Sequence, residues 1–392
     1  MKKVLLVLLA LAMIVAFAAC STDANVDNPD DGNATDDTNA ESAGIAVEDI
    51  KVGHIHINDE AEQGYSTAHI NGINGMKEAL GLSDDQVIGK YNISEDSSCA
   101  DAIQELVEAG CNIIFADSFG FEDYMLEAAK EYPDVQFCHA TGFQALGSGL
   151  SNFHNYFGNI YEARYLCGVI AGLTTQDNKL GYVSAMRNTE CISGFTAFYL
   201  GAKSVNPDVT MDVIFNNTWF DMTIEAQSAQ SLIDRGCDVI CQHTDSTAVQ
   251  STCEAGGVYC IGYNTDMSAA APNYNLCSAV WDWSAVYISA VQAVLDGEEI
   301  PADFCGDLAD GMVNVVYNEA VIPAEAKAKA EEVKQQIIDG QLYPYVIGPF
   351  SGAGINAAGE EVTIDLAEGE EYHEPQSAPQ WGFILPGITI VE

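Results

Sequence analysis

One stretch occurs twice in this chain, and the repetition restricts the fold more than any other feature. Residues 104–114 read Gln-Glu-Leu-Val-Glu-Ala-Gly-Cys-Asn-Ile-Ile, and residues 230–240, displaced by 126 positions (230 − 104), read Gln-Ser-Leu-Ile-Asp-Arg-Gly-Cys-Asp-Val-Ile. Each copy closes an amphipathic helix, stops it at a glycine and continues as an apolar run with β-branched residues, the pattern of a helix feeding a buried strand. Two such steps call for two parallel α/β sheets. Each strand leads into a polar tip, Ala116-Asp-Ser-Phe-Gly120 in the first copy and Gln242-His-Thr-Asp-Ser246 in the second. Ligands of open α/β sheets sit beyond the carboxyl ends of the strands. Two sheets facing each other therefore bring both polar tips into one cleft.

The remaining segments fit that frame. Ile50-Lys-Val-Gly-His-Ile-His-Ile57 alternates as a strand, and Gly64-Tyr65-Ser66-Thr67-Ala68-His69 opens the helix after it, which puts Tyr65 at the strand's carboxyl edge. His54 and His56 share a face, which suits either a metal or packed, hydrogen-bonded positions near the cleft. Strands and helices then alternate to about residue 150, and again from Tyr161 to Val280, with right-handed crossovers expected throughout. The expected organisation is a signal peptide at 1–19 and a lipidated Cys20 with a disordered acidic tether over 20–47. A first lobe takes 48–157 plus 281–308, a second takes 158–280 plus 309–351, and an acidic tail takes 352–392. At 392 residues, two three-layer domains joined by a three-segment hinge suit the length.

Lys2-Lys3, the apolar run Val4–Ala19 and then Cys20 have the charged, hydrophobic and small-residue regions of an export signal. The run is short for a membrane span. Ala16-Phe17-Ala18-Ala19-Cys20 resembles a bacterial lipobox, which implies cleavage before Cys20, lipid on its thiol and a protein held at the outer face of the cell membrane. Residues 21–44 offer almost nothing to bury, and as a flexible coil they reach roughly 25–30 Å. Fourteen Lys and Arg against 58 Asp and Glu leave a net charge of −44, which repels nucleic acid and anionic lipid. Eleven cysteines remain after Cys20. Most lie in apolar stretches as small buried hydrophobes, and although Cys237 and Cys241 have a spacing some zinc sites use, no second pair matches them.

Signatures of catalysis are missing: there is no G-x-S-x-G, no P-loop, no H-E-x-x-H and no G-x-G-x-x-G after the first strand. His243 with Asp245 could form an acid/base pair, yet no nucleophile accompanies them. The strand ends instead collect aromatic residues (Tyr65, Phe119, Trp219, Phe220, Trp281, Trp283) and neutral or acidic hydrogen-bonding groups (Ser118, Thr244, Asp245, Asn264, Asp266). Cations are scarce, Arg187 and Lys203 being the candidates in the middle of the second half. Flat apolar faces with acceptors suit a planar, uncharged or cationic solute such as a purine.

Several ordered motifs carry a family likeness: Asn159-Ile-Tyr-Glu-Ala-Arg-Tyr-Leu-Cys-Gly168, Lys179-Leu-Gly-Tyr-Val183, Leu200-Gly-Ala-Lys-Ser-Val-Asn-Pro207, Asn217-Thr-Trp-Phe-Asp221, Gln242-His-Thr-Asp-Ser246 and Gly262-Tyr-Asn-Thr-Asp-Met-Ser268. From Lys51 to Phe350 the chain resembles the basic membrane lipoprotein family, substrate-binding components of ABC importers with the type I periplasmic-binding fold and relatives of purine nucleoside receptors. The resemblance implies a base stacked between aromatics of both lobes, here Tyr65 and Trp219, with polar contacts at Ser118, Asp245, Asn264 and Asp266. It further implies hinge closure over the ligand and delivery to permease subunits by a protein without enzymatic activity or cofactor, expected to be a monomer. Nucleoside-binding relatives usually carry a lysine for the ribose just after the strand matching residues 278–280. Here Trp281 stands there, which turns the expectation toward a free base such as adenine. Phe119 and Trp281 complete the expected ligand contacts. A sensory receptor using the same pocket and a nucleoside hydrolase on a similar fold are the two rival expectations.

Overall fold

A computed structural model describes residues 44–391 of the chain. The expected export signal, Cys20 and most of the tether lie outside the described residues. The first lobe runs through β1 (Val52–Ile55), α1 (Tyr65–Leu80), β2 (Val87–Lys90), α2 (Ser97–Glu108), β3 (Ile113–Ala116), α3 (Glu122–Glu131), β4 (Gln136–Ala140), the single turn α4 (Ala145–Ser148) and β5 (Phe153–Gly158). The second contains α5 (Ile160–Thr174), β6 (Lys179–Ser184), α6 (Thr189–Val205), β7 (Thr210–Phe215), α7 (Met222–Asp234), β8 (Val239–His243), α8 (Ala248–Gly256), β9 (Tyr259–Asn264) and β10 (Asn275–Trp281). The chain returns to the first lobe with α9 (Ser284–Asp296) and β11 (Asp303–Gly306), then crosses back into β12 (Val313–Tyr317) and α10 (Ala324–Ile338). It ends in β13 (Phe350–Ile355), β14 (Glu361–Leu366) and β15 (Ile388–Val391).

The first sheet is ordered β11-β5-β4-β3-β1-β2 and is parallel throughout. The second is ordered β12-β10-β9-β8-β6-β7-β15 and is parallel except for β12. In each sheet the chain first moves outward, from β1 to β2 and from β6 to β7, and then returns to the other side with β3 or β8. The gaps between β1 and β3 and between β6 and β8 are thus the topological switch points, where a crevice opens above the strand ends. Helices α1 and α9 pack together on the first lobe, and α5 with α6 and α10 on the second. Three chain passages join the two sheets, after β5, after β10 and after β11.

The repeated step has one physical design in both lobes. Helix α2 buries Cys99, Ala102, Ile103 and Leu106. Helix α7 buries Glu225, Ser228, Ala229 and Leu232, the same four positions 126 residues on. An aspartate starts each helix by accepting backbone N–H groups of the first turn: Asp96 from Ser98, Asp221 from Thr223 and Ile224. Gly110 and Gly236 end them at φ of 85° and 84°, a left-handed conformation that glycine adopts without steric cost. Leu106 and Leu232 are fully buried under the sheets, and truncating a core leucine of this kind to alanine costs about 2–5 kcal/mol. The copies differ where the second faces its loop: Glu225 accepts from Ser246 Oγ at 2.6 Å, and Ser228 donates to Asn216 at 2.6 Å.

Three segments differ from the sequence reading. Residues 153–158, across which the expected boundary at 157/158 falls, form the buried strand β5 of the first lobe, so the chain leaves that lobe only after Gly158. The edge strand β11 has no signal in the sequence, since its four residues Asp-Phe-Cys-Gly carry no alternation. Residues 352–391, expected as an acidic tail, build most of the hairpin β13–β14 and add β15 to the second sheet beside β7. Trp381 in that segment is fully buried, its indole N–H donating to Thr196 Oγ1 and to the Phe383 carbonyl. Ser377 donates its N–H to Asp303 at the start of β11, so the terminal segment touches both lobes. Ten of the described cysteines are buried and Cys305 is exposed. Cys237, one of the pair with zinc-like spacing, turns its thiol to the Leu180 carbonyl.

Candidate ligand-binding site

The strand ends of both sheets converge on one small cavity. The first lobe contributes Ile57 after β1, Tyr65 at the start of α1, Asp117, Ser118 and Phe119 after β3, and Thr141 after β4. The second contributes Glu190 from the first turn of α6, Trp219 after β7, His243 and Asp245 at the end of β8, and Tyr263 from β9. Across the cavity the lobes are in contact. Thr265 Oγ1 donates to the Gln63 carbonyl at 2.7 Å, and Gly64 abuts the Asp245 backbone.

Of the residues expected from the sequence, Tyr65, Ser118, Phe119, Trp219 and Asp245 are brought together here. Tyr65 is 8 % exposed, sits edge-on to His69 and Trp283, and its hydroxyl has no partner among the described residues. Ser118 Oγ donates to Glu95 at 2.7 Å, and Phe119 stacks at long range on Phe143. No other aromatic ring among the described residues packs on Trp219, which holds the loop against β8 by accepting the Asp245 N–H at its carbonyl. Asp245 accepts from Asn264 Nδ2 at 3.0 Å. Its carboxyl is pushed well above the ordinary range by burial first, and then by the charges of Glu62, Glu225 and Glu190.

Three expected contacts lie elsewhere. Asn264 does not line the cavity; it stands behind Asp245 and accepts the Trp281 indole N–H at 3.2 Å. Trp281, the last residue of β10, is stacked flat on Trp283 at 4.4 Å between ring centroids, so that face is already covered. Asp266 is exposed and accepts the Ser268 N–H in a local turn. An Asn264 φ of 69° turns the chain outward between these neighbours.

The sequence reading put Asp117 and His243 in the cleft with the two polar tips but not among the ligand contacts, and it missed Ile57, Thr141, Glu190 and Tyr263. Asp117 is held by His56 Nδ1 at 2.6 Å, and His56 by His54 at 2.6 Å, so the two histidines form a hydrogen-bonded chain ending at the cavity. The polar tip after the first repeated strand was the signal that could have singled out Asp117. His243 pairs with Glu190 at 3.2 Å and not with Asp245. Burial, and then the Arg164 charge, keeps its imidazole well below the usual histidine range. Arg164 is fully buried, its guanidinium carbon 3.6 Å from the Tyr263 ring centre and its Nη1 donating to the Gln242 carbonyl. Neither Arg187 nor Lys203 lines the cavity, and no other Lys or Arg does so among the described residues. The wall is thus aromatic and acidic, with acceptors and hydroxyls but no partner for an anion.

Comparison with known proteins gives the family and the fold. The family model described as "ABC transporter substrate-binding protein PnrA-like" matches residues 51–345. A purine-binding protein of Brucella abortus is 36% identical over 310 residues, 79% of this chain and 86% of that protein. A Haloferax volcanii protein that carries the name of an ABC transporter glucose-binding protein is 30% identical over 326 residues, 82% of this chain and 81% of that one. Among solved structures, a transcriptional activator of the comK gene from Bacillus halodurans superposes with a TM-score of 0.64 at 22% identity, covering 75% of this chain and all of that one. A solute-binding protein of an Aeropyrum pernix ABC transporter system does so with a TM-score of 0.64 at 17% identity, covering 75% and 92%. At those identities the two structures speak for the shared fold alone. Among the described residues no helix is long and apolar enough to cross a membrane. The chain belongs to the Bmp family of PnrA-like ABC transporter substrate-binding proteins.

Proposed function

We propose that this protein is the lipid-anchored receptor of an importer for a purine, taken as the free base, with adenine the first candidate. Substrate-binding components of ABC importers act outside the cytoplasm and present small molecules to a permease. The observation that carries the purine reading is the wall of the cavity, with Tyr65, Phe119, Trp219 and Tyr263 around a compact space that three carboxyl groups and no cation share. Aromatic faces take a flat heterocycle, the acidic groups and hydroxyls take its ring-edge hydrogen bonds, and phosphorylated ligands meet no counter-charge. The Brucella relative's name points the same way. On this reading Tyr65, Ser118, Phe119, Trp219 and Asp245 touch the ligand, while Asn264 and Trp281 hold Asp245 in place from behind.

Capture works by closure. The ligand settles on one lobe, and the other lobe closes because contacts from both strand tips exist only in the closed form. Export by residues 1–19 and lipid on Cys20 would keep a monomer at the membrane beside its permease; mass spectrometry of the mature N-terminus tests the anchor. Titration calorimetry of the full chain with adenine, adenosine, guanosine, ribose and glucose tests the ligand. Adenine is expected to bind tightest, and binding of ribose or glucose alone removes the purine. Trp219→Ala is expected to weaken purine binding at least tenfold, because base–aromatic stacking contributes on the order of 1–3 kcal/mol per base.

A further inference from the structure

Glu190 stands apart from the other acidic residues of the cavity. Asp117 has His56 at 2.6 Å, and Asp245 has Asn264 at 3.0 Å as a neutral donor. Glu190 lies at the first turn of α6, 7 % exposed, with His243 Nε2 at 3.2 Å from its Oε1. That imidazole is neutral and has Tyr182 OH at 3.4 Å on its other nitrogen, so it brings no positive charge to the pair. The hydroxyls of Tyr65 from the first lobe and Tyr263 from the second line the same space, 8 % and 1 % exposed, and both lack a hydrogen-bond partner among the described residues. The cavity therefore holds two unpaired phenolic hydroxyls next to a buried carboxyl, groups that a ligand offering both acceptors and donors satisfies together.

We propose that Glu190 determines which base the pocket accepts: beside His243 and flanked by Tyr65 and Tyr263, its carboxyl reads a ligand edge on which a ring nitrogen stands next to an amino group. This deepens the purine reading above and rests on it. A carboxylic acid offers one O–H donor and one C=O acceptor side by side. Adenine offers the complement, its ring nitrogen accepting and its neighbouring amino group donating, so two parallel hydrogen bonds form without net charge. Unsubstituted purine keeps the rings and loses the amino donor.

The surroundings favour the protonated acid. Burial pushes Glu190 up to about 8, which the Arg164 charge opposes and that of Glu95 across the cleft reinforces. The other groups facing it are His243 and Asp245 at the end of β8, Tyr263 of β9, its α6 neighbour Cys191, and Tyr65 of α1. Arg164 is the one cation among them, and it lies over the ring of Tyr263, away from the cavity wall.

The test is calorimetry of the full chain with adenine and with unsubstituted purine from pH 6 to 9. The wild-type protein is expected to prefer adenine at least 30-fold. Glu190→Gln keeps a donor and an acceptor but cannot ionise. It is expected to hold adenine within fivefold of wild type near pH 6 and to lose up to one decade per pH unit from the wild-type fall in affinity as pH rises. Glu190→Leu is expected to shrink the preference for adenine over purine to within threefold. A Leu variant that keeps the full preference, or a Gln variant whose pH profile superimposes on wild type, overturns the assignment while leaving purine binding intact. A wild-type protein that binds neither base overturns both readings.

Discussion

At Gly64 the backbones of the two lobes meet without room for a side chain. A Cβ at that position would stand 1.9 Å from the Asp245 carbonyl oxygen and 2.7 Å from its carbon, both backbone atoms of the opposite lobe that no rotamer change can move aside. On the closure reading proposed above, the constraint exists only when the cleft is shut. Gly64→Ala is therefore expected to leave thermal unfolding close to wild type while weakening ligand binding at least tenfold, with solution scattering showing the more open shape. Unchanged affinity would mean that this contact is not part of capture. Trp281 is a second case at the same scale. Its position at the end of β10 suggested a ligand contact, but stacking on Trp283 and the bond to Asn264 commit both its face and its N–H to the hinge.

Among the elements, the pair α2 and α7 shows how one helix design serves two lobes. The shared burial at four positions 126 apart places β3 and β8 identically beside the first strand of each sheet, and the exchange of Cys99 for Glu225 lets the second helix brace its loop through Ser246. The terminal segment is the element that departs most from its sequence pattern. It attaches as a seventh strand through β15 and is pinned by Trp381, which lies among Phe350, Tyr372 and Phe383. Trp381→Ala is expected to lower stability by about 3–5 kcal/mol, the usual cost of emptying a buried aromatic site. Denaturant titration checks it, and a loss below about 1 kcal/mol would show the segment to be a loose appendage.

For the whole molecule, closing the cleft is an electrostatic event. Glu62 of the first lobe is raised to about 8 by burial and then by Asp117, and Asp245 of the second is raised by burial and then by Glu62. In the proposed open form these carboxyls would regain water and return toward the ordinary range near 4. A carboxyl whose value is raised in the closed form opposes closure only where the open form is ionised. Closure is thus unopposed at acid pH, and each unit above about 4.5 makes it harder until the closed-form values are passed, for Glu62 near 8. Capture of a neutral ligand is expected to take up protons between those limits, so affinity at pH 5.5 exceeds that at pH 8. Calorimetry in buffers of different ionisation enthalpy measures the uptake, and net proton release would contradict it. The net charge of −44 adds a general repulsion toward anionic solutes.

The two-lobed parallel architecture was legible along the chain, because a helix that ends at glycine and runs into a buried strand has one structural meaning and occurs twice. So were the place of the cleft and five of the residues that line it. Which neighbours share that wall came from long-range packing. Glu190 and Tyr263 read as ordinary members of a helix and a strand, because periodicity reports that a side chain is covered and not whether its own core or the opposite lobe covers it. Asn264 and Asp266 stand two residues apart beside Tyr263, yet a left-handed residue in the loop sends one behind the wall and the other to solvent. Such distinctions arise when distant segments meet, and no local pattern encodes them.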